Sequence, residues 1–263
     1  MARSVKWVGW ILGGLALAIG APLALLAHPE PAFAYHLTAG RLALYSDRPF
    51  DTGAGRRVLA DIESRLAASP IDDHAPHAIF IANSAWRETL FFNRASGAAG
   101  LNYYPLSNDV FLRRSSVELN RVYGRSGRPA AAPRTLAYYG AHEIAHSFTA
   151  ERAGPAHLWN FEMPQWVREG YADYVGMGGH VDIDDLWRRY KSGDPELDYR
   201  RSGVYARFRM LAAYLIQRRG WSVDRLLASK LTEEQALKMM SADMSGSNEA
   251  RSPSTGSTSQ HNF

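Results

Sequence analysis

Five consecutive residues, His142-Glu143-Ile144-Ala145-His146, bring together the side chains best suited to chemistry in this chain. Residues four apart on an α-helix are separated by one turn and about 40° of rotation, so the two imidazoles can converge on one ion. Glu143 is turned by about 100° from His142, which sets its carboxylate beside such an ion, in reach of a bound water and outside the ligand set. Zinc is the expected ion, because a catalytic zinc takes three protein ligands and keeps a fourth position for water. Ile144 and Ala145 are apolar, as a helix facing a core requires. In a chain with 9 His, an H-E-x-x-H arises by chance in roughly 1 to 2% of cases. The pattern therefore favours metal chemistry over two histidines satisfied by hydrogen bonds in a core.

A third ligand must come from elsewhere. The metzincin continuation H-x-x-G-x-x-H is excluded, since Thr149 and Arg152 stand where it needs Gly and His. Downstream, Trp166-Val167-Arg168-Glu169-Gly170-Tyr171-Ala172-Asp173-Tyr174 falls on a predicted helix. Here the sequence resembles the gluzincin metallopeptidases, and more narrowly the peptidase MA-like group related to thermolysin and the alanyl-type aminopeptidases. Their second helix commonly reads W-x-x-E-G-x-A-x-Y, matched by Trp166, Glu169, Gly170, Ala172 and Tyr174. The resemblance implies a zincin-like fold with Glu169 as the third zinc ligand and Glu143 as general base. Asp173, four residues beyond Glu169 and on the same face, is then placed to accept the outer N–H of a ligating imidazole; the alternative is a solvated helix acid. A further likeness covers Tyr205 to Gly220, where Tyr205, Tyr214, Leu215 and Gly220 match a Tyr-led helix of the group. Tyr205 becomes the candidate donor to the oxyanion of a tetrahedral intermediate, or else a core tyrosine, with Tyr199 and His180 as weaker candidates.

The activity implied is zinc-dependent hydrolysis of a peptide or protein substrate. In relatives of this kind a strand beside the zinc helix pairs with an extended substrate, and Asn108 to Arg113 is the candidate segment. No G-x-M-E-N pattern for gripping a substrate amine is present, which favours an endopeptidase. Two other classes stay open: an inactive peptidase fold serving as a binding or scaffold module of the cell envelope, and a zinc hydrolase of a non-peptide amide or ester.

The elements that must position these groups follow from periodicity. Tyr35 to Tyr45 partly alternates apolar and polar residues. Arg56 to Ser69 spaces Val58, Leu59, Ile62 and Leu66 as an amphipathic helix stopped by Pro70. Ala78 to Ala82 reads as an inner strand and Ala85 to Phe92 as a short helix. Gly100 to Arg113 reads as two strands about a turn at Ser107-Asn108-Asp109. After Pro133 the period becomes helical: Arg134 to Arg152, Gln165 to Gly176, Tyr205 to Arg219, Val223 to Ala228, and Thr232 to Met240, where Thr232 and Gln235 fit a capping box. The order predicts an α+β fold, a small N-terminal mixed sheet packed on a mainly helical C-terminal part.

The composition of the 263 residues, 46% hydrophobic and 21% charged, excludes a disordered chain, a collagen repeat and a multi-pass membrane protein. With no cysteine, disulfides, thiolate-ligated metals and thiol nucleophiles are excluded, so a zinc here takes nitrogen and oxygen ligands. The 30 basic and 26 acidic residues are interspersed, giving no case for nucleic acid and leaving an anionic membrane surface open. Trp7 to Ala27 is free of charge and follows Arg3 and Lys6. Its length matches the ~20 residues that cross a hydrocarbon core, so it reads as a retained anchor with the rest exported. Cleavage after Ala32-Phe33-Ala34 as a signal peptide is the alternative; Gly9, Gly13, Gly14, Gly20 and Pro22 argue against a buried soluble helix. The expected organisation is a signal anchor or signal peptide over 1–34, a metallopeptidase domain over 35–240, and a disordered tail over 241–263.

Less persuasive features are Asp72-Asp73-His74 with His77, a metal site on paper but more naturally a solvated loop; the pairs Arg188-Arg189, Arg200-Arg201 and Arg218-Arg219, candidates for anionic lipid or simply wet helix faces; and Tyr103-Tyr104, which could line a groove or a core.

Overall fold

The computed structural model describes residues 20–92, 97–154 and 163–249, with side chains up to residue 245. The Tyr35 to Tyr45 segment folds as a hairpin. Tyr35–Ala39 (β1) and Leu42–Ser46 (β2) pair antiparallel about Gly40, whose φ of 61° suits a residue without a Cβ. Thr52–Leu66 (α1) crosses over to His77–Ala82 (β3), parallel to β2. Asp51 caps α1, its side chain accepting from the Ala54 amide at 2.7 Å. Ala85–Phe92 (α2) follows β3. Gly100–Asn102 (β4) and Val110–Arg113 (β5) are antiparallel, and β5 lies parallel to β3. The sheet order is β1-β2-β3-β5-β4, and a two-stranded ribbon, Ser115–Ser116 (β6) and Arg121–Val122 (β7), leads towards the helices.

Both faces of this sheet are covered, which is why β3 and β5 are apolar almost throughout. Ile79 and Ile81 with Val110 and Leu112 face the main core, where Leu59, Ile62 and Leu66 of α1 meet Ala141, Ile144 and Ala145. Each aliphatic side chain fully buried here contributes about 1.5–3 kcal/mol. Successive strand residues point to opposite faces, so Phe80 and Phe111 turn the other way and join Phe33, Phe91 and Phe92 in a smaller aromatic core.

Helices dominate the remainder. Leu136–Ala153 (α3) is capped by Thr135, and Gln165–Gly176 (α4) begins after Pro164. Ile183–Lys191 (α5) is a helix that the sequence reading passed over, though Asp182 caps it, Asp184 and Asp185 open it and Arg188, Arg189 and Lys191 close it. Ala206–Ala213 (α6) continues into a π-helical turn at Tyr214–Arg218, and Val223–Leu227 (α7) follows. Glu233–Glu249 (α8) starts with the expected capping box: the Thr232 amide donates to Gln235 Oε1 at 2.8 Å and the Gln235 amide to Thr232 Oγ1 at 3.2 Å.

One expectation changes: residues 241–249, expected to open a disordered tail, are helical. The helix predicted to stop at Met240 runs to Glu249, because Ala236, Met240 and Met244 form one buried stripe and Asp243 accepts from the Tyr214 hydroxyl at 2.6 Å. Residues 250–263 of the expected tail lie outside the described residues. No helix among the described residues is long and apolar enough to cross a membrane. Most of Trp7 to Ala27 lies outside them; residues 20–27 are helical, with Leu25 and Leu26 packed on the aromatic core.

Candidate metal centre

The site forms where α3 crosses α4. Tyr138, His142 and His146 repeat every four residues and so share one stripe of α3; Glu169 and Asp173 do the same on α4. The close approach of these helices to their neighbours depends on small residues. A Cβ on Gly176 would lie 2.9 Å from the Tyr138 ring and 3.2 Å from His142 Cβ, and one on Gly170 only 2.5 Å from the Phe208 carbonyl oxygen.

His142, His146 and Glu169 each offer a ligand atom, all within 4.8 Å of one another. Glu169 Oε2 stands 3.6 Å from His142 Nε2 and 3.5 Å from His146 Nε2. Tetrahedral ligands on bonds of 2.0–2.1 Å are separated by about 3.3 Å, so both Glu169–histidine separations are close to those around a zinc-sized ion. The donors also suit zinc in kind: two imidazoles and one carboxylate. Burial works against the charge of Glu169, but His146 and His142 outweigh it and hold the carboxyl well below the usual range, so it stays an anion. Arg168 Nε donates to its other oxygen at 3.0 Å. No other group of three or more such side chains converges among the described residues.

Glu143 is buried beside this triad, and loss of water raises its carboxyl to about 7, with Glu169 adding to the rise and His146 opposing it. Its immediate neighbour is Gly100 of β4: a Cβ there would stand 2.7 Å from both Glu143 Cγ and Oε1. Tyr205 stacks on His142, the rings 6° from parallel and 6.1 Å apart. Burial, with Glu169 nearby, pushes the Tyr205 hydroxyl far up, so it keeps its proton and remains a donor. Tyr199 stacks on Tyr205 at 5.1 Å and does not line the cleft, and His180 is exposed and away from it.

Asp173 departs from both readings given to it. It is fully buried, which excludes a solvated helix acid. Rather than serving an imidazole, it accepts from the Tyr138 hydroxyl and from Arg209 Nη1 at 2.8 Å, while His142 Nδ1 is buried without a hydrogen-bond partner among the described residues. The i+4 spacing correctly put Asp173 on the face of Glu169, but Tyr138, one turn ahead of His142, reaches it first. Burial and the Asp173 charge push the Tyr138 hydroxyl well up, so this tyrosine acts purely as a donor.

A cleft of about 450 Å³ opens over the triad. It is lined by Glu143 and Tyr205, by Gly100, Leu101 and Asn102 of β4, and by Tyr104, Tyr139, Arg134 and Arg168. The segment Asn108 to Arg113, expected to pair with an extended ligand, cannot do so through β5: that strand is bonded to β3 on one side and β4 on the other. The outer strand at the cleft is β4. Tyr104 lines the cleft, whereas Tyr103 packs on Phe111 in the aromatic core and donates its hydroxyl to the Phe91 carbonyl.

Arg200 and Arg201 lie exposed on the short helical turn Tyr199–Ser202, and most of the other candidates have structural partners. Asp72 binds Arg41, and His77 is buried with Nδ1 at 3.0 Å from the Asn108 carbonyl. Arg188 pairs with Asp185, Arg189 with Asp194 and Glu196, Arg218 with Asp184, and Arg219 with Asp243. Gly100, Tyr138, Arg134 and Arg168 escaped the sequence reading; only Tyr138 carried a signal, its place on the stripe of the two histidines. Comparison with protein-family models, with curated proteins and with solved structures finds no match to this chain.

Proposed function

We propose that this chain is a zinc-dependent metallopeptidase that hydrolyses internal peptide bonds, with a zincin-like fold and a catalytic domain held outside the cytoplasm by the apolar segment Trp7 to Ala27. The observation that carries the reading is the convergence of His142, His146 and Glu169 at the floor of an open cleft, with the buried carboxyl of Glu143 beside them.

His142 and His146 through Nε2, and Glu169 through Oε2, are the residues that hold the metal. Zinc supplies an acidified water and a polarised carbonyl when bound. Glu143 accepts the proton of the attacking water and returns it to the leaving amine; burial raises its carboxyl to about 7, the range suited to taking up and releasing a proton near neutral pH. Tyr205 donates to the oxyanion that forms at the scissile carbonyl. The free side of β4 offers main-chain groups of Gly100 and Asn102 to an extended peptide, since those of Leu101 face Phe111 of β5; this is the role expected of Asn108 to Arg113. The described cleft holds no acid besides Glu143 and Glu169, so none is left to bind a substrate α-amine, which argues against removal of N-terminal residues.

The test uses the full chain purified in detergent. It should contain about one zinc, lost in His146→Ala and in Glu169→Ala. Glu143→Gln should keep the zinc and abolish cleavage of a peptide library. Zinc retained in both ligand variants would overturn the metal assignment, and full activity in Glu143→Gln would overturn the mechanism.

A further inference from the structure

The charged groups of the cleft are unevenly employed. Among the described lining residues they are Glu143, Glu169, Arg134 and Arg168, besides the two histidines. Both acids serve the proposed reaction, whereas it makes no use of the two guanidiniums.

Arg134 sits just ahead of α3 with its side chain only 4% exposed. Its Nη1 donates to Glu196 Oε1 at 3.2 Å, and its guanidinium carbon stands 5.8 Å from the centre of the Tyr138 ring. Nη2 is buried with no hydrogen-bond partner among the described residues. The nearby acids make their hydrogen bonds elsewhere: Glu196 Oε2 receives Arg189, the two oxygens of Asp173 receive Tyr138 and Arg209, and Asp173 acts on Arg134 through its charge without a hydrogen bond to Nη2. A buried donor left unmet costs about 1–3 kcal/mol, and more when charged. An oxygen anion brought by a ligand removes that cost. Arg168, tied through Nε to Glu169, adds a second positive charge to the cleft lining.

We infer that the cleft selects substrates that carry a carboxylate, received by the guanidinium of Arg134. Planar guanidinium donors match carboxylate oxygens in geometry as well as charge. The carboxylate comes either from the C-terminus of a peptide or from an Asp or Glu side chain near the bond cleaved. This inference rests on the metallopeptidase reading for its substrate class, while its test reads binding, which does not require turnover.

Three peptides of one core sequence are titrated by fluorescence anisotropy into the full-length Glu143→Gln protein: one amidated and free of acids, one with a free C-terminal carboxylate, and one amidated with Glu on either side of the centre. At least one carboxylate-bearing peptide should bind about 10- to 100-fold more tightly than the neutral one, the range expected of a hydrogen bond to a charged group. Which of the two is preferred identifies the source of the carboxylate. Adding Arg134→Gln should remove the preference, and Arg134→Lys should restore only part of it. Both variants lose or alter the Glu196 pair, and the comparison of peptides on intact Arg134 stands without them. Equal binding of all three peptides, or none by any, overturns the inference and leaves zinc content and cleavage to judge the metallopeptidase reading. A carboxylate preference in a chain that cleaves no peptide supports the inference and overturns that reading instead.

Discussion

The glycine at the start of β4 offers the sharpest test of how the fold serves Glu143. A Cβ on Gly100 would stand 2.7 Å from Glu143 Cγ, 2.7 Å from Oε1 and 2.9 Å from Leu112 Cδ2. Carbon atoms in ordinary contact lie about 3.5–4.0 Å apart, so Gly100→Ala displaces the Glu143 side chain by about 1 Å. Gly100 is not among the positive-φ glycines, and alanine therefore meets no backbone strain; in a strand it even gains about 0.5–1 kcal/mol over glycine. The atoms in its way are side-chain atoms that can rotate aside, so overpacking should cost only about 1–2 kcal/mol, much of it offset by that gain. The reaction has no such latitude: a misplacement of about 1 Å can cost roughly 100-fold in rate, equivalent to about 2.7 kcal/mol of barrier. The expected signature is a split, with kcat reduced about 100-fold while zinc content, KM and the denaturation midpoint change little. Steady-state kinetics on a fluorogenic peptide, metal analysis and urea unfolding read the three quantities. Wild-type kcat in Gly100→Ala would refute the placement of Glu143 against β4; a collapse of stability with lost zinc would show that the glycine serves packing alone.

Tyr205→Phe keeps the ring stacked between His142 and Tyr199, so fold and metal should survive while kcat falls about 100- to 1,000-fold for loss of the oxyanion donor; unchanged kcat removes Tyr205 from the reaction. Gly170→Ala meets main chain, with Phe208 O at 2.5 Å and Phe208 C at 2.8 Å, and neither can rotate away; urea unfolding should show a loss of about 3 kcal/mol or more, and a loss under 1 kcal/mol would mean α4 and α6 pack more loosely than this. Asp72 tests electrostatics away from the site. Burial alone would raise its carboxyl, but Arg41, at 2.6 and 2.5 Å to its two oxygens, and the His74 amide hold it below the usual value. A depressed carboxyl contributes stability that is present above the unfolded value of about 3.9 and lost as pH falls through the folded value below it. Arg41 keeps its pair with Glu63 at 3.0 Å, so Asp72→Asn should lower stability near neutral pH by about 1.5–3 kcal/mol, the worth of hydrogen bonds to a charged group, and flatten its fall below about pH 4; an unaltered acid limb excludes this pair as a source of acid lability.

What could be read from sequence separates by whether the information is local. The H-E-x-x-H stripe, the W-x-x-E-G-x-A-x-Y helix and the Thr232–Gln235 capping box are defined within one turn or a few, and the structure has helices at all three. Asp173 shows where this stops: its spacing from Glu169 defines a shared face, but the partner on that face depends on how α3 crosses α4, and Tyr138 occupies the place expected for an imidazole. The strand order is lost in the same way. Val110–Arg113 is buried at every residue, and its run of three apolar residues, Val110-Phe111-Leu112, suits a strand covered on both faces. That argues for an inner position and against the edge, so the cue against Asn108 to Arg113 lay in the Val110-Phe111-Leu112 run at its centre. The three residues of β4 carry too little periodicity to register as the edge. Gly100 is the extreme case. A glycine gives no periodic signal, and its importance lies wholly in the side chain that stands where its Cβ would be. Helices thus supply the chemical groups in a form that sequence spacing reveals, while the outer strand that holds the base in place and faces the cleft is specified by contacts between residues distant in the chain. Mutations that test the ligands test the first kind of information; Gly100→Ala tests the second.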